Sequence, residues 1–378
     1  MMAALKMMLL GLALAAGPLA WVWLRHRTKQ TQRLKALTLL TLFLTFDLVL
    51  FGAFTRLTDS GLGCPDWPGC YNQATPLGAH QDIAAAQAEL PSGPVTPIKA
   101  WIEMIHRYLA TAVGVLILVM AVESWRTYFK NRSHSPWWAT LTLVWVCVQG
   151  AFGALTVTMK LFPAIVTLHL LGGLALLALL TRQAVSLHVQ AQDTPTQTQS
   201  AASKLAIWSL GLLVVQIALG GWVSTNYAVL ACTEFPMCQN SWWPDMNFAQ
   251  GFEFWRELGM TQTGDHITFA ALTAIHMVHR WVALVVFAVL ALLAYTWWKQ
   301  SDQQKWARAL VGLMCLQFLT GLSNVVLSWP LLSAVMHTGG AAALVLLLVA
   351  AMSWPTSTPG PVTGVKPQRL GTSAYSES

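Results

Sequence analysis

Runs of about 20 apolar residues recur along this chain, and an α-helix of that length crosses the hydrocarbon core of a bilayer. Only 10% of the residues are charged, against roughly 25% in soluble domains. Because charged side chains are costly in hydrocarbon, this shortage is typical of a chain immersed in lipid. The pattern predicts an all-α, polytopic membrane protein with eight core spans, at residues 35–55, 100–122, 137–159, 164–181, 204–224, 268–298, 306–328 and 332–354.

A further apolar stretch occupies residues 4–24. A secretory signal peptide carries its basic residues before the apolar core and small residues at a cleavage site. Here only Lys6 opens the stretch, and the basic cluster follows it at residues 25–35. We therefore predict a retained N-terminal helix that begins outside the cytoplasm, with a signal-like segment as the alternative.

The net charge of +7 reflects membrane topology. Lys and Arg concentrate on alternate loops: 15 of the 22 lie in residues 25–35, 123–136, 182–204, 298–308 and the C-terminal tail. Nine of the 15 acidic residues lie in the segments 56–99 and 225–267. Since cytoplasmic loops carry the excess of Lys and Arg, the tail is predicted to be cytoplasmic and both acidic segments external. No nucleic-acid-binding module is visible, so no nucleic-acid partner is expected.

The two halves of the chain repeat each other. Cys64 and Cys70 recur as Cys232 and Cys238 at an offset of 168 residues. The same offset relates five further pairs: Gly52 and Gly220, Cys147 and Cys315, Gln149 and Gln317, Gly153 and Gly321, and His169 and His337. Each half holds an even number of spans, so both halves have the same orientation, as in parallel repeats related by an axis along the membrane normal.

This repeat predicts two four-helix bundles side by side. The first half is predicted to occupy residues 34–181 and the second residues 204–354, joined by a cytoplasmic linker at 182–203. Residues 1–33 form the N-terminal apolar segment and its basic loop, and residues 355–378 form a polar tail.

Four histidines lie inside the predicted spans, where an ionisable side chain is a functional candidate by default. His106 and His169 lie at similar depths toward the outer face in the first half, and His279 and His337 are their repeat equivalents. Two histidines on facing helices of a four-helix bundle can ligate one haem iron. We predict one haem per half; the alternative is four buried histidines bonded to backbone carbonyls. Zinc is disfavoured because it needs three or four close ligands.

The residue three positions before the first ligand differs between the halves. Glu103 precedes His106, whereas His276 precedes His279. A carboxylate beside a metal-bound porphyrin can act as a base or stabilise a cationic intermediate. This asymmetry predicts that the first half carries out chemistry and the second holds a permanent cofactor. The alternative is that Glu103 only faces the membrane interface.

Charged residues and cysteines near the outer face complete the candidate set. Arg107 and Arg280 follow the first ligands, and a guanidinium pairs well with a carboxylate such as a haem propionate; an interfacial anchor is the alternative. The cysteine pairs Cys64–Cys70 and Cys232–Cys238 lie where disulfides persist. They are predicted to be structural, with a redox-active first pair as the alternative. Asp47, an acid inside a span, receives no role.

Two motifs resemble the haem A synthase family: residues 55–70 (TRLTDSGLGCPDWPGC), like its first outer-loop motif, and residues 103–107 (EMIHR), like its catalytic-helix motif. The resemblance extends over about residues 35–354 and includes all four histidines. It implies oxidation of the C8 methyl group of haem O to the formyl group of haem A.

The resemblance also implies roles for the candidate residues. His106 and His169 are expected to hold the substrate haem O, and His279 and His337 a resident haem B. Glu103 is expected to take the place of the family's catalytic glutamate, and Cys64 and Cys70 that of its functional cysteine pair. A b-type cytochrome with two histidine ligands per haem, which carries electrons without methyl oxidation, is the main alternative, and a transporter is another.

The implied partners are a haem O synthase upstream and terminal oxidase assembly factors downstream, with the lipid bilayer as the surroundings. The sequence leaves open whether the chain forms a homo-oligomer. A bacterial inner membrane is favoured because no Arg-rich amphipathic transit segment begins the chain.

Overall fold

A computed structural model of the protein describes residues 2–27, 30–132, 135–190 and 204–355. Within these ranges the chain forms helices and no β-strand. The helices are α1 (Met2–Arg25), α2 (Gln30–Leu57), α3 (His80–Glu89), α4 (Pro97–Asn131), α5 (Trp137–Thr158), α6 (Pro163–Gln190), α7 (Lys204–Thr225), α8 (Phe248–Gly251), α9 (Phe269–Trp298), α10 (Gln304–Val326) and α11 (Leu331–Ser353), with a short 3-10 helix at Ala228–Ala231. Residues 191–203 of the predicted linker and 356–378 of the predicted tail lie outside the described residues.

Nine helices of the described chain are long and apolar enough to cross a membrane: α1, α2, α4, α5, α6, α7, α9, α10 and α11. The predicted all-α, multi-pass membrane fold is confirmed. Helices α4 and α6 continue well beyond the predicted spans, because backbone hydrogen bonding does not stop where the apolar run ends. At the extended end of α4, buried Glu123 accepts hydrogen bonds from Arg33 of α2 at 3.0 Å and from Arg126 at 3.2 Å.

Local signals determine where the histidine-bearing helices begin. Thr96 and Thr268 cap α4 and α9, each accepting a hydrogen bond from the backbone N–H three residues later. Pro97 follows the first cap, at a position where a missing N–H costs nothing. Helix α6 likewise begins at Pro163. These starts place each histidine between one and three turns inside its helix.

The helices pack as two bundles of four. Helices α2, α4, α5 and α6 contact one another in that cyclic order, and α7, α9, α10 and α11 do the same. Between the bundles α2 contacts α11, α6 contacts α7, and α6 contacts α11. If each helix is exchanged for its equivalent in the other half, the same set of contacts results. A two-fold axis along the membrane normal requires this.

Repeat-equivalent residues meet where α2 and α7 end. Arg56 of α2 donates a 2.6 Å hydrogen bond to the carbonyl of Ser224, its equivalent in α7. The hydroxyl of Tyr227 donates to Asp59, also its equivalent, at 2.6 Å. Burial raises the pKa of Tyr227, so its hydroxyl remains a donor. These contacts show that the segments 58–96 and 226–268 lie at one end of the molecule, which we call the disulfide end.

Helix α1 packs against α4 and α2 and has no counterpart in the second bundle. Gly11 lies so close to Thr111 of α4 that a Cβ atom there would overlap the threonine side chain. Ala15 and Val22 are fully buried in the first bundle's apolar core. The apolar N-terminal stretch is therefore a helix integrated into the packing of the first half.

Candidate functional site

The four predicted histidines form one layer near the disulfide end. His106, His169, His279 and His337 lie on α4, α6, α9 and α11, the four helices that run inward from that end. Within each bundle the two histidines lie on diagonally opposite helices, α4 and α6 in the first and α9 and α11 in the second. The structure thus brings together the residues that the sequence paired, one pair in each bundle.

Each histidine ring is faced by a glycine of a neighbouring helix. A Cβ atom built at the glycine would lie 3.0–3.3 Å from the ring carbon Cε1, closer than ordinary van der Waals contact. The four pairs are Gly52 with His106, Gly153 with His169, Gly220 with His279, and Gly321 with His337. The missing side chains let each imidazole lie against the backbone of the neighbouring helix, and this contact recurs at all four histidines.

A glutamine supports the second histidine of each pair. The side-chain amide of Gln149 donates to the backbone carbonyl of His169 at 2.9 Å, and Gln317 donates to that of His337 at 3.0 Å. The sequence showed that these glutamines repeat but did not show their partner. Their contact joins α5 to α6 and α10 to α11 at the depth of the ligands.

The ring nitrogens, in contrast, have different surroundings in the two halves. Nδ1 of His337 lies 3.0 Å from the hydroxyl of Thr320, and Nδ1 of His279 lies 3.0 Å from the amide nitrogen of Gln216. Among the described residues, Nδ1 of His106 and Nδ1 of His169 are buried without a hydrogen-bond partner. Sequence reasoning missed Thr320 and Gln216, although both lie within one turn of a repeated glycine.

Glu103 and Arg107 form a buried ion pair of 2.5 Å at the disulfide end of α4. The backbone N–H of Cys64 donates to the other carboxylate oxygen of Glu103 at 2.7 Å. Nη1 of Arg107 donates to the backbone carbonyls of Asp66, Pro68 and Gly69, the last at 2.5 Å. The two side chains therefore fasten the first cysteine segment onto the helix that carries His106, and Glu103 is buried inside the protein.

The second half keeps the arginine and replaces the acid. Arg280 donates to the carbonyls of Met237 and Cys232 at 3.2 and 3.1 Å, as Arg107 does in its own half. His276, the equivalent of Glu103, is buried with Nδ1 3.0 Å from the carbonyl of Ala228. Nε of Arg280 is buried without a partner among the described residues.

Both predicted cysteine pairs are disulfide-bonded, Cys64 with Cys70 and Cys232 with Cys238. All four cysteines are buried. Inside the first loop the carboxylate of Asp66 accepts hydrogen bonds from two backbone N–H groups, of Tyr71 and Asn72. Hydrogen bonds within the loop and from the arginines of α4 and α9 thus both hold the cysteine segments in place.

Among the described residues, no group of three or more His, Cys, Asp or Glu side chains is arranged to hold a metal ion. Two histidine side chains in each bundle would instead be sufficient to hold a haem iron. Fold and site define a class: a multi-pass membrane protein built from two repeated four-helix bundles, each with a facing pair of histidines.

Comparisons with known proteins agree with this class. Residues 35–349 match the family model described as cytochrome oxidase assembly protein, COX15-CtaA, and the chain belongs to this family. It is 40% identical to a Heme A synthase of Shewanella oneidensis over 313 residues, 82% of this chain and 93% of that protein. A Heme A synthase of Bacillus licheniformis is 25% identical over 305 residues, 77% of this chain and 86% of its own. The family resemblance predicted from the motifs is confirmed.

Proposed function

We propose that this protein is a haem A synthase, which oxidises the C8 methyl group of haem O to a formyl group. The observation that carries the proposal is the similarity over nearly the full length of a Heme A synthase. Two glycine-faced histidine pairs, one in each bundle, support it. Oxidising an unactivated methyl group needs a redox centre that side chains do not supply, and a haem iron supplies that chemistry when bound.

The two histidine pairs are proposed to have different occupants. His106 and His169 hold the substrate haem O and the product haem A, because the buried carboxylate of Glu103 belongs to that half. His279 and His337 hold a resident haem B that carries electrons. The hydroxyl oxygen beside Nδ1 of His337, which can accept a hydrogen bond from the ring, supports a permanent ligand set there.

Glu103 is proposed as the acid–base group of the first half. It lies one helical turn from His106, and Arg107 and the Cys64 backbone orient its carboxylate. Because this orientation depends on the first cysteine segment, the disulfide Cys64–Cys70 helps to position Glu103.

The two arginines are proposed to act at the same end of the haem sites. The unpartnered Nε of Arg280 supports a contact with a haem propionate in the second half. Arg107 is engaged by Glu103 and by three loop carbonyls, which supports a positioning role; a propionate contact of Arg107 is proposed only because Arg280 is its equivalent.

In the cell, an upstream haem O synthase is proposed to supply the substrate, and terminal oxidase assembly factors receive the product. We place the protein in a bacterial inner membrane with its C-terminus in the cytoplasm, following the distribution of basic residues. A homo-oligomer is compatible with this arrangement.

The test is to purify the protein in detergent, extract its haems and identify them by mass. We expect haem B together with haem O or haem A. Haem B alone, at two per chain, would contradict the synthase and favour a b-type cytochrome. A protein without any haem would contradict the ligand assignment of all four histidines.

Substituting Gly220 with alanine is expected to weaken haem binding in the second half. The new Cβ would lie 3.0 Å from Cε1 of His279, so the ring must shift. Overpacking of this kind costs about 1–3 kcal/mol, and about 1.4 kcal/mol is a tenfold loss of affinity. Haem B per chain, measured by absorbance, should fall. Gly211→Ala is the matched control on the same helix, because nothing lies within 4 Å of its new Cβ; equal haem content in both variants would contradict the prediction.

A further inference from the structure

The hydroxyl of Thr320 on α10 contacts two carbonyls of its own helix, those of Leu316 and Gln317, and the ring of His337. Its hydroxyl donates to the backbone carbonyl of Leu316 at 2.8 Å, the usual i−4 bond of a helical threonine. The same oxygen lies 3.0 Å from Nδ1 of His337. A hydroxyl has one proton, so once it donates to Leu316 the oxygen can only accept from the ring.

With the hydroxyl proton directed to a carbonyl of its own helix, Nδ1 of His337 would carry the ring hydrogen and Nε2 the lone pair. This is the tautomer in which Nε2 is a metal ligand while Nδ1–H is held by a hydrogen-bond acceptor. Such an acceptor fixes the orientation of the ring and makes the ligand more basic. In that tautomer, Nε2 of His337 would be free to hold a haem iron.

The first half lacks this hydroxyl group, although the helices around its histidines are arranged in the same way. The 168-residue offset places Phe152 at the position of Thr320, and a phenyl ring cannot accept the hydrogen bond. Nδ1 of His169 is buried without a partner among the described residues. Gln149 nevertheless holds the His169 backbone just as Gln317 holds that of His337, so the difference is confined to the ring nitrogen.

The first ligands of the pairs show the same asymmetry. The amide nitrogen of Gln216 lies 3.0 Å from Nδ1 and 3.3 Å from Nε2 of His279, whereas the equivalent residue in the first half is Leu48. This contact does not select a tautomer, because the amide nitrogen reaches both ring nitrogens. Thr320 therefore carries the argument, and Gln216 shows that polar support is concentrated in the second half.

We infer that Thr320 is a positioning residue that locks the His337 ligand for permanent haem binding, and that Phe152 in its place leaves the first-half haem exchangeable. The inference rests on the proposed function, which requires one haem to stay and the other to be released as product. The difference between the haem that stays and the haem that is released would then depend on one hydroxyl group, which is present in the second half only.

The test measures how fast the purified, haem-loaded protein loses haem to an excess of apomyoglobin, followed by absorbance. With His106 and His169 both replaced by alanine, only second-half haem remains. In that background Thr320→Val, which keeps the shape and removes the acceptor, should lose haem about 10–100-fold faster. Thr320→Ser should behave like the parent. Thr296→Val, which removes another back-bonded hydroxyl remote in sequence from the ligands, should have no effect.

The reverse substitution tests the first half in the otherwise unaltered protein. Phe152→Thr should slow the loss of first-half haem relative to Phe152→Val, by up to about tenfold, because only threonine offers Nδ1 of His169 an acceptor. Equal rates for Thr320→Val and Thr320→Ser, or for the two Phe152 variants, would overturn the inference and leave the proposed function intact. Absence of haem from the wild-type protein would instead contradict the proposed function itself.

Discussion

His279→Ala is expected to remove the resident haem of the second half and, with it, the formation of haem A. Under the proposed assignment, the substitution deletes one of the two histidines that would hold the iron, and alanine offers no replacement. Loss of a supporting residue near a metal costs about 10–100-fold, and loss of the ligand itself should cost more. Haem B per chain is measured by absorbance of the purified protein, and haem A by extraction from the expressing membranes.

The matched control is His276→Gln, one turn away on the same helix. His276 is also buried, but its ring contacts the backbone carbonyl of Ala228 and belongs to neither pair. A glutamine amide can keep that hydrogen bond, so haem B should be retained. Full haem retention in His279→Ala would show that the second pair does not ligate the iron.

Removing the carboxylate of Glu103 is expected to abolish haem A formation while second-half haem B stays bound. Glu103→Ala also strands the buried guanidinium of Arg107, and breaking such a pair from one side costs about 3–5 kcal/mol. Glu103→Gln is therefore the sharper variant, since its amide oxygen can still accept from the N–H of Cys64. The measurement is the ratio of haem A to haem O in extracts, together with haem B per chain.

Glu123→Gln provides the control for this prediction. Glu123 lies on the same helix and is also buried in ion pairs, but at the opposite end of α4. Its amide variant should form haem A normally. If Glu103→Gln did so too, the residue would be a structural brace of the cysteine segment, and the acid–base role would be wrong.

The two halves share a scaffold and differ in a few side chains. Both have glycines against the ligand rings, glutamines on the ligand backbone, and arginines on the cysteine loops. The acid at Glu103 and the hydroxyl at Thr320 each occur in one half only. A duplicated haem-binding bundle can thus divide into a reacting site and a retaining site through single substitutions at equivalent positions.

The membrane spans and the repeat could be predicted from the sequence alone, because both depend only on the order of the residues along the chain. Span length follows from the thickness of hydrocarbon, and a constant offset of informative residues needs no coordinates to detect. The pairing of His106 with His169 and of His279 with His337 followed from the repeat and from the similar depth of the two histidines in each half. Helix ends were less accessible: α4 runs to Asn131, because hydrogen bonding and the ion pairs of Glu123 continue past the apolar run.

Contacts between side chains of different helices could not be obtained in this way. The sequence placed Arg107 beside a haem propionate, yet its nearest partners are Glu103 and the carbonyls of the cysteine loop. The hydroxyl beside the His337 ring belongs to Thr320, on another helix. That Phe152 replaces it in the first half matters only because His169 and His337 occupy equivalent places in the packed bundles. Composition and order along the chain specify which helices form and how they repeat, because those depend on local apolarity. Which atoms meet depends on the rotation and depth of each packed helix, and these are determined only when all the helices pack together.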